Sequence, residues 1–158
     1  MKVKDIIKVI EEFAPLSIQE GWDNSGLCIG SPDAPVTSVL LGLDCTPELV
    51  DEAMECGADM IVTHHPLIFS GLKKISPDDQ VGEAVFKAIR AGISIYAAHT
   101  NADKVLAGVS GAMAARLGLE NVSILDEDGE EIGEMECDVT FLQEAKENNA
   151  CYVAWYNK

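Results

Sequence analysis

The sequence predicts an α/β fold, a mostly parallel wound sheet flanked by helices, and three observations predict it. From residue 36 onward, apolar runs of strand length alternate with segments of helical period in the order strand, helix, strand, helix, strand, helix. Short connections between them are what a parallel sheet wound by right-handed crossovers requires. The helices carry their own punctuation, with Thr46 and Pro47 at a start and Gly57, Gly92 and Gly118 at the ends. Finally, all 3 histidines fall at the carboxyl ends of two successive predicted strands, where an open α/β sheet forms its ligand crevice.

The first element is a helix over residues 3–13, with Val3, Ile6, Ile7, Ile10 and Phe13 on one face at spacings of three and four, followed by Pro15. EGWDNSGLCIG comes next, where glycines bracket a short strand over 27–29. Its loop admits two readings: Asp23 or Asn24 makes an Asx turn while Trp22 plugs the core, or the aspartate supports a nearby metal site. VTSVLLGLD reads as a buried strand over 36–44 ending at Asp44, and TPELVDEA as a helix. A strand over 58–63 follows, then the loop THHPLIF, in which Pro66 forbids further ladder pairing. A helix over 77–90 turns Val81, Ala84, Val85, Ala88 and Ile89 inward. ISIYAAH is a strand ending at His99, and the loop TNADKVLAG leads into a helix over 109–117. Beyond Leu119 the pattern predicts a strand at 122–125, an acidic turn near Gly129, a helix over 139–148 and a last strand over 151–156.

At 158 residues the chain reads as a single domain able to bury a core. Against 27 Asp and Glu stand 11 Lys and Arg, a formal charge of −16 that repels phosphate backbones, so no direct nucleic-acid binding is expected. The 5 cysteines are odd in number and form no C-x-x-C, which gives neither a disulfide framework nor a zinc knuckle. Cys28 and Cys45 lie in apolar runs and are expected as buried thiols. There is no leader-like apolar start and no segment long enough to span a membrane, so the expected compartment is a reducing cytoplasm.

The chemistry centres on His64, His65 and Asp103, a set of N, N and O donors that suits zinc, iron or manganese. For the histidine pair alone, a turn with one solvated and one capped imidazole competes with a ligand site; clustering at strand ends favours ligands. Adjacent side chains on a strand diverge, so the pair serves one ion each of a dinuclear site more readily than one small ion together. Two ions about 3.5 to 4 Å apart activate water for hydrolysis. The chain has no G-x-S-x-G elbow, no Walker A lysine and no G-x-G-x-x-G after the early strands. Thiol catalysis by Cys45 has no spacing argument behind it.

WDNSGL, GLDCTPELVDEA, GADMIVTHHPLIF and IYAAHTNADKVLAGVS, in that order, resemble the successive signatures of the Nif-three-like family, the dinuclear metal centre or type 2 GTP cyclohydrolase-like proteins. The resemblance covers residues 2–119. It implies a Nif-three-like α/β fold, a toroidal homo-oligomer, commonly a hexameric ring, and two divalent metal ions per subunit facing an internal cavity. It also implies that His64, His65 and Asp103 are metal ligands and that His99 lies beside them. The activity it implies is metal-dependent hydrolysis of a nucleotide or phosphoester, a small-molecule substrate attacked by metal-activated water.

Residues 120–158 depart from the family pattern, which completes its site with a histidine and a glutamate four residues later. No histidine follows His99 here. Either ACYVAW stands where that segment would be, or EIGEMECDV matches an earlier family segment. Without the bridging glutamate, a mononuclear or partly occupied site is expected, with Glu134, Glu136 or a neighbouring subunit as remaining carboxylate sources. Two functions follow: a metal-dependent hydrolase, or a non-catalytic metal-binding or scaffolding oligomer.

Overall fold

The structure, a computed structural model, describes residues 1–120 and the backbone of two later strands, Val122–Ile124 and Cys151–Val153. The chain divides into two compact units, Met1–Ala102 and Asp103–Lys158.

The first unit contains α1 (Val3–Phe13), β1 (Gly26–Ile29), β2 (Val39–Gly42), α2 (Pro47–Cys56), β3 (Met60–Thr63), α3 (Gln80–Ala91) and β4 (Ser94–Ala97), and ends within a helical turn, α4 (Thr100–Asp103). The sheet order is β1-β4-β3-β2. β2, β3 and β4 are parallel, as the alternating pattern predicts. β1 is the exception: it joins the edge antiparallel to β4, pairing Gly26 with Ala97 and Leu27 with Tyr96, and a register shift follows between Leu27 and Ile29.

Helices cover both faces of this sheet. On one, Val3 of α1 packs with Val36, Met60 and Tyr96, and Ile6, Ile7 and Ile10 lie against them. On the other, Val50 and Ala53 of α2 and Ala84, Val85 and Ala88 of α3 pack on Ile29, Ile61 and Ile95. Each fully buried aliphatic side chain contributes about 1.5–3 kcal/mol of transfer free energy, so this sandwich holds the strand ends rigidly. Tyr96 is buried, and its hydroxyl donates to Glu11 of α1. Two side chains expected inward face out: Phe13 is 51% exposed and Ile89 57%. Each sits at an end of its helix, where the apolar stripe runs past the sheet it covers.

Helix boundaries follow local chemistry. Thr46 caps α2 by accepting from Leu49 N, and Gly57 closes it at φ 72°. α3 starts at Gln80, later than the expected residue 77, because Asp79 accepts from Gly82 N and so serves as the N-cap. Gly92 ends α3 in the same left-handed conformation, φ 70°.

In the second unit, α5 (Val109–Arg116) stops before Gly118, and β5 (Val122–Ile124) runs parallel to β6 (Cys151–Val153). The expected turn near Gly129, the helix over 139–148, Glu134 and Glu136 lie outside the described residues. Among the described residues no helix is long and apolar enough to cross a membrane.

Candidate metal centre

Gly42, Thr63 and Ala97 are register partners at the carboxyl ends of β2, β3 and β4. The backbone pairing continues one step past them. His64 N donates to Gly42 O at 3.3 Å, His65 N to Leu43 O at 2.9 Å and Ala98 N to Thr63 O at 2.9 Å. His64, His65 and His99 therefore emerge from one edge of the sheet, with Asp44 beside them at the end of β2. β1 runs the other way, so the loop that precedes it, residues 22–25, reaches the same edge.

Each imidazole is held by its Nδ1. His64 Nδ1 meets Ala98 O at 2.9 Å, His65 Nδ1 meets Asp44 Oδ1 at 2.7 Å, and His99 Nδ1 meets Asp23 Oδ1 at 2.8 Å. A carbonyl or carboxylate oxygen only accepts, so each neutral ring carries its proton on Nδ1 and its lone pair on Nε2. That is how metal-ligating histidines are oriented.

The three imidazoles each offer a nitrogen within 4.8 Å of the others. Ring centroids are 4.9 Å apart for His64 and His65, 5.1 Å for His64 and His99, and 5.6 Å for His65 and His99. Nitrogens around a single ion bound at 2.0–2.1 Å stand roughly 3–4 Å apart, so a cluster of this size could hold a metal ion. His64 and His65 bring ring nitrogens within 4.8 Å of each other at the bend after Thr63, whose Oγ1 donates to His65 O at 2.9 Å. Three borderline nitrogen donors backed by two carboxylates fit a divalent cation such as zinc, iron or manganese.

Asp23 is the most constrained group here. Its side chain is fully buried. Besides His99 it accepts from Ser25 Oγ at 2.8 Å, Thr100 N at 3.1 Å, Thr100 Oγ1 and its neighbour Asn24 N at 2.7 Å. Burial alone would raise its pKa, but hydrogen bonds from His99, Thr100, Ser25 and the Asn24 N–H outweigh it and hold the carboxyl down at about 2. The carboxylate is thus a permanent negative charge behind His99.

Of the residues singled out in the sequence, His64 and His65 come together, and His99 joins them as a third donor, although the motif reading places it only beside the metals. Asp103 is the last residue of α4 and the first of the second unit. Asp44 as the anchor of His65 is legible only as the residue that ends a strand. Trp22 does not plug the core: it is 41% exposed and packs against Phe69 and the edge of His99, at centroid distances of 5.9 and 6.3 Å. Cys28 and Cys45 are shielded thiols, as their apolar context predicts. Burial pushes Cys28 up to about 11, and burial with the nearby Cys28 pushes Cys45 up to about 12.

Comparison with known proteins gives this edge its context. The chain is 41% identical over 134 residues to the GTP cyclohydrolase 1 type 2 homolog of Clostridium acetobutylicum, covering 85% of this chain and 50% of that protein. The Staphylococcus aureus homolog of the same description is 42% identical over 126 residues, 80% of this chain and 34% of that one. The chain thus spans half or less of the length of these curated relatives. Among solved structures, a Bacillus cereus protein related to NIF3 superposes with a TM-score of 0.74 at 44% identity, over 77% of this chain and 34% of that one. Reduced HcgD from Methanocaldococcus jannaschii gives 0.74 at 30% identity, over 93% and 60%. The Duf34/NIF3 (NGG1p interacting factor 3) family model matches residues 1–151, nearly the whole chain, and with the fold and these relatives it makes this protein a member of that family.

Proposed function

We propose that this protein binds a divalent metal ion through His64, His65 and His99 and hydrolyses a nucleotide or other phosphoester. The observation that carries the reading is the common anchoring of the three rings, each Nδ1 held by an oxygen so that Nε2 carries the lone pair. The relatives' description as GTP cyclohydrolase 1 type 2 homologs supports a nucleotide as the substrate.

Within this reading the chain's own groups do the positioning. Asp23 and Asp44 hold the rings of His99 and His65 in one orientation and one tautomer. The carbonyl of Ala98 does the same for His64 without adding charge. A bound divalent cation supplies Lewis acidity and lowers the pKa of a coordinated water. The two carboxylates also favour a cation at this edge in a chain that would otherwise repel an anionic substrate. A homo-oligomer, a hexameric ring by family resemblance, belongs to the same proposal and is read by light scattering.

The test is metal analysis of protein dialysed against zinc, manganese or iron. One tightly held ion per chain, lost in His65→Ala and His99→Ala, is the expected result; an Asp103→Asn variant in the same assay tests the carboxylate that the sequence motif supplies. No bound ion with any of the three metals overturns the reading. Metal-loaded protein is then assayed on GTP and phosphoester panels. Stoichiometric metal without turnover leaves the second reading, a non-catalytic metal-binding protein, which three nitrogen donors sufficient for one ion already support.

A further inference from the structure

We propose that Trp22 and Phe69 form a stacking platform for a flat heteroaromatic ring, so that the ligand drawn to the histidine edge is a nucleotide and not a simple phosphoester. This deepens the proposed function and rests on it for the chemistry at the imidazoles.

Two large aromatic side chains stand half in solvent at this edge, Trp22 at 41% and Phe69 at 53% exposure. They come from loops far apart in sequence and meet with centroids 5.9 Å apart at an interplanar angle of 51°. Trp22 also meets His99 edge-on at 6.3 Å. The pair therefore abuts the cluster, unlike the exposed apolar side chains on the helices. At 5.9 Å the two rings already touch, so a ligand ring does not insert between them; with the planes 51° apart it stacks on one face and meets the other ring at a tilt.

The platform is braced. Asn24 Nδ2 donates to Ile68 O, tying the loop that carries Trp22 to the loop that carries Phe69. Between Trp22 and Asn24, the buried Asp23 is locked by Ser25, Thr100 and His99. Both aromatic residues are thus neighbours in sequence of a residue that joins separate segments, and such preorganisation lowers the ordering cost of binding. Leaving two rings partly wet forfeits transfer free energy that a core position would recover. Stacking accepts any base because every base offers a π-face. The chain's net charge of −16 opposes a polyanion, which points to a single nucleotide.

The full-length chain carrying Trp155→Phe, in which Trp22 is the remaining tryptophan of 2, is titrated without metal with GMP, AMP and ribose 5-phosphate, following indole emission. Saturable quenching by both nucleotides and none by ribose 5-phosphate is expected. In that background Phe69→Ala and Phe69→Leu weaken binding about tenfold, the leucine because it restores bulk without a π-face. No quenching, equal quenching by ribose 5-phosphate, or unchanged affinity in both Phe69 variants overturns the platform. Metal content of the Phe69 variants separates the two readings: nucleotide binding by a protein that takes up no metal removes the metal site and keeps the platform, and metal uptake without quenching does the reverse.

Discussion

Asp23 Oδ1 accepts the Nδ1–H of His99 at 2.8 Å across 76 positions of sequence. The contact joins the loop before β1 to the end of β4, and it exists because β1 runs antiparallel to β4, Gly26 opposite Ala97. Replacing this acceptor should therefore be felt at the metal as well as in the fold. Asp23→Asn keeps an oxygen in place but removes the charge, and we expect metal affinity to fall about 10- to 100-fold, the range for such supporting partners. Calorimetric titration with zinc measures it, and equal affinity in the variant would separate Asp23 from the site.

Metal should also stabilise the protein. A ligand at 100 times its dissociation constant adds about 2.7 kcal/mol when it binds only the folded state. Zinc or manganese is expected to raise the thermal midpoint by several degrees in the parent protein, and EDTA should return it. In His99→Ala the midpoint should stay put on adding metal. A rise of the same size in that variant would place the binding elsewhere.

Asp59 makes a pH-dependent contribution remote from the histidines. Its Oδ2 accepts from Thr37 N and Thr37 Oγ1, both at 2.7 Å, and from Ser38 N at 3.2 Å. The backbone and side-chain hydrogen bonds from Thr37, and then that from Ser38, hold its pKa below the ordinary carboxylate value of 3.8. A depressed folded-state pKa contributes stability that is fully present above the unfolded value and is lost as pH falls through the folded one. Urea midpoints should accordingly drop from pH 5 toward pH 3 more steeply in the parent than in Asp59→Asn, and parallel curves would contradict the assignment.

Two glycines separate backbone conformation from space. Gly57 has φ +72° with nothing within 4 Å of a Cβ, so Gly57→Ala should cost about 1–2 kcal/mol from left-handed strain alone. A Cβ on Gly82 would stand 2.0 Å from Ser76 O, a backbone atom. Gly82→Ala forces the segment before α3 to move and should cost more than Gly57→Ala, by chemical denaturation. The reverse order would show that the Ser76 segment yields freely.

Thiol labelling tests the burial of the first unit. Cys56 is exposed, whereas Cys28 donates from Sγ to Ile95 O at 3.4 Å and Cys45 is buried. With thiols held up at about 11 and about 12, neither Cys28 nor Cys45 forms thiolate near neutrality. Brief iodoacetamide treatment, mapped by mass spectrometry, should modify Cys56 and spare those two; prompt labelling of Cys28 would mean that β1 opens readily.

Elements whose signal is local were legible. Thr46 with Pro47 marks the start of α2, Gly57 and Gly92 mark helix ends, and the apolar spacing of Val3, Ile6, Ile7 and Ile10 reports the buried face of α1. The apolar spacing predicts Phe13 and Ile89 inside, yet both are exposed, because periodicity records a helix face and not how far the sheet beneath it extends. Strand ends are overrun for a similar reason: Leu43 continues the apolar pattern and Asp44 reads as its end, but the ladder of β2 stops at Gly42.

The sequence by itself determined the family motifs, the α/β alternation and the position of the histidines at strand ends, because strand and helix periods are properties of neighbouring residues. Only the tertiary structure decided that β1 is antiparallel, that the bend after Thr63 lets His64 and His65 converge, and that His99 completes the cluster. It alone assigned Asp23, Asp44 and the Ala98 carbonyl as the three anchors. The physical reason is that strand direction and side-chain convergence depend on hydrogen bonds between segments far apart in the chain, which no local pattern encodes.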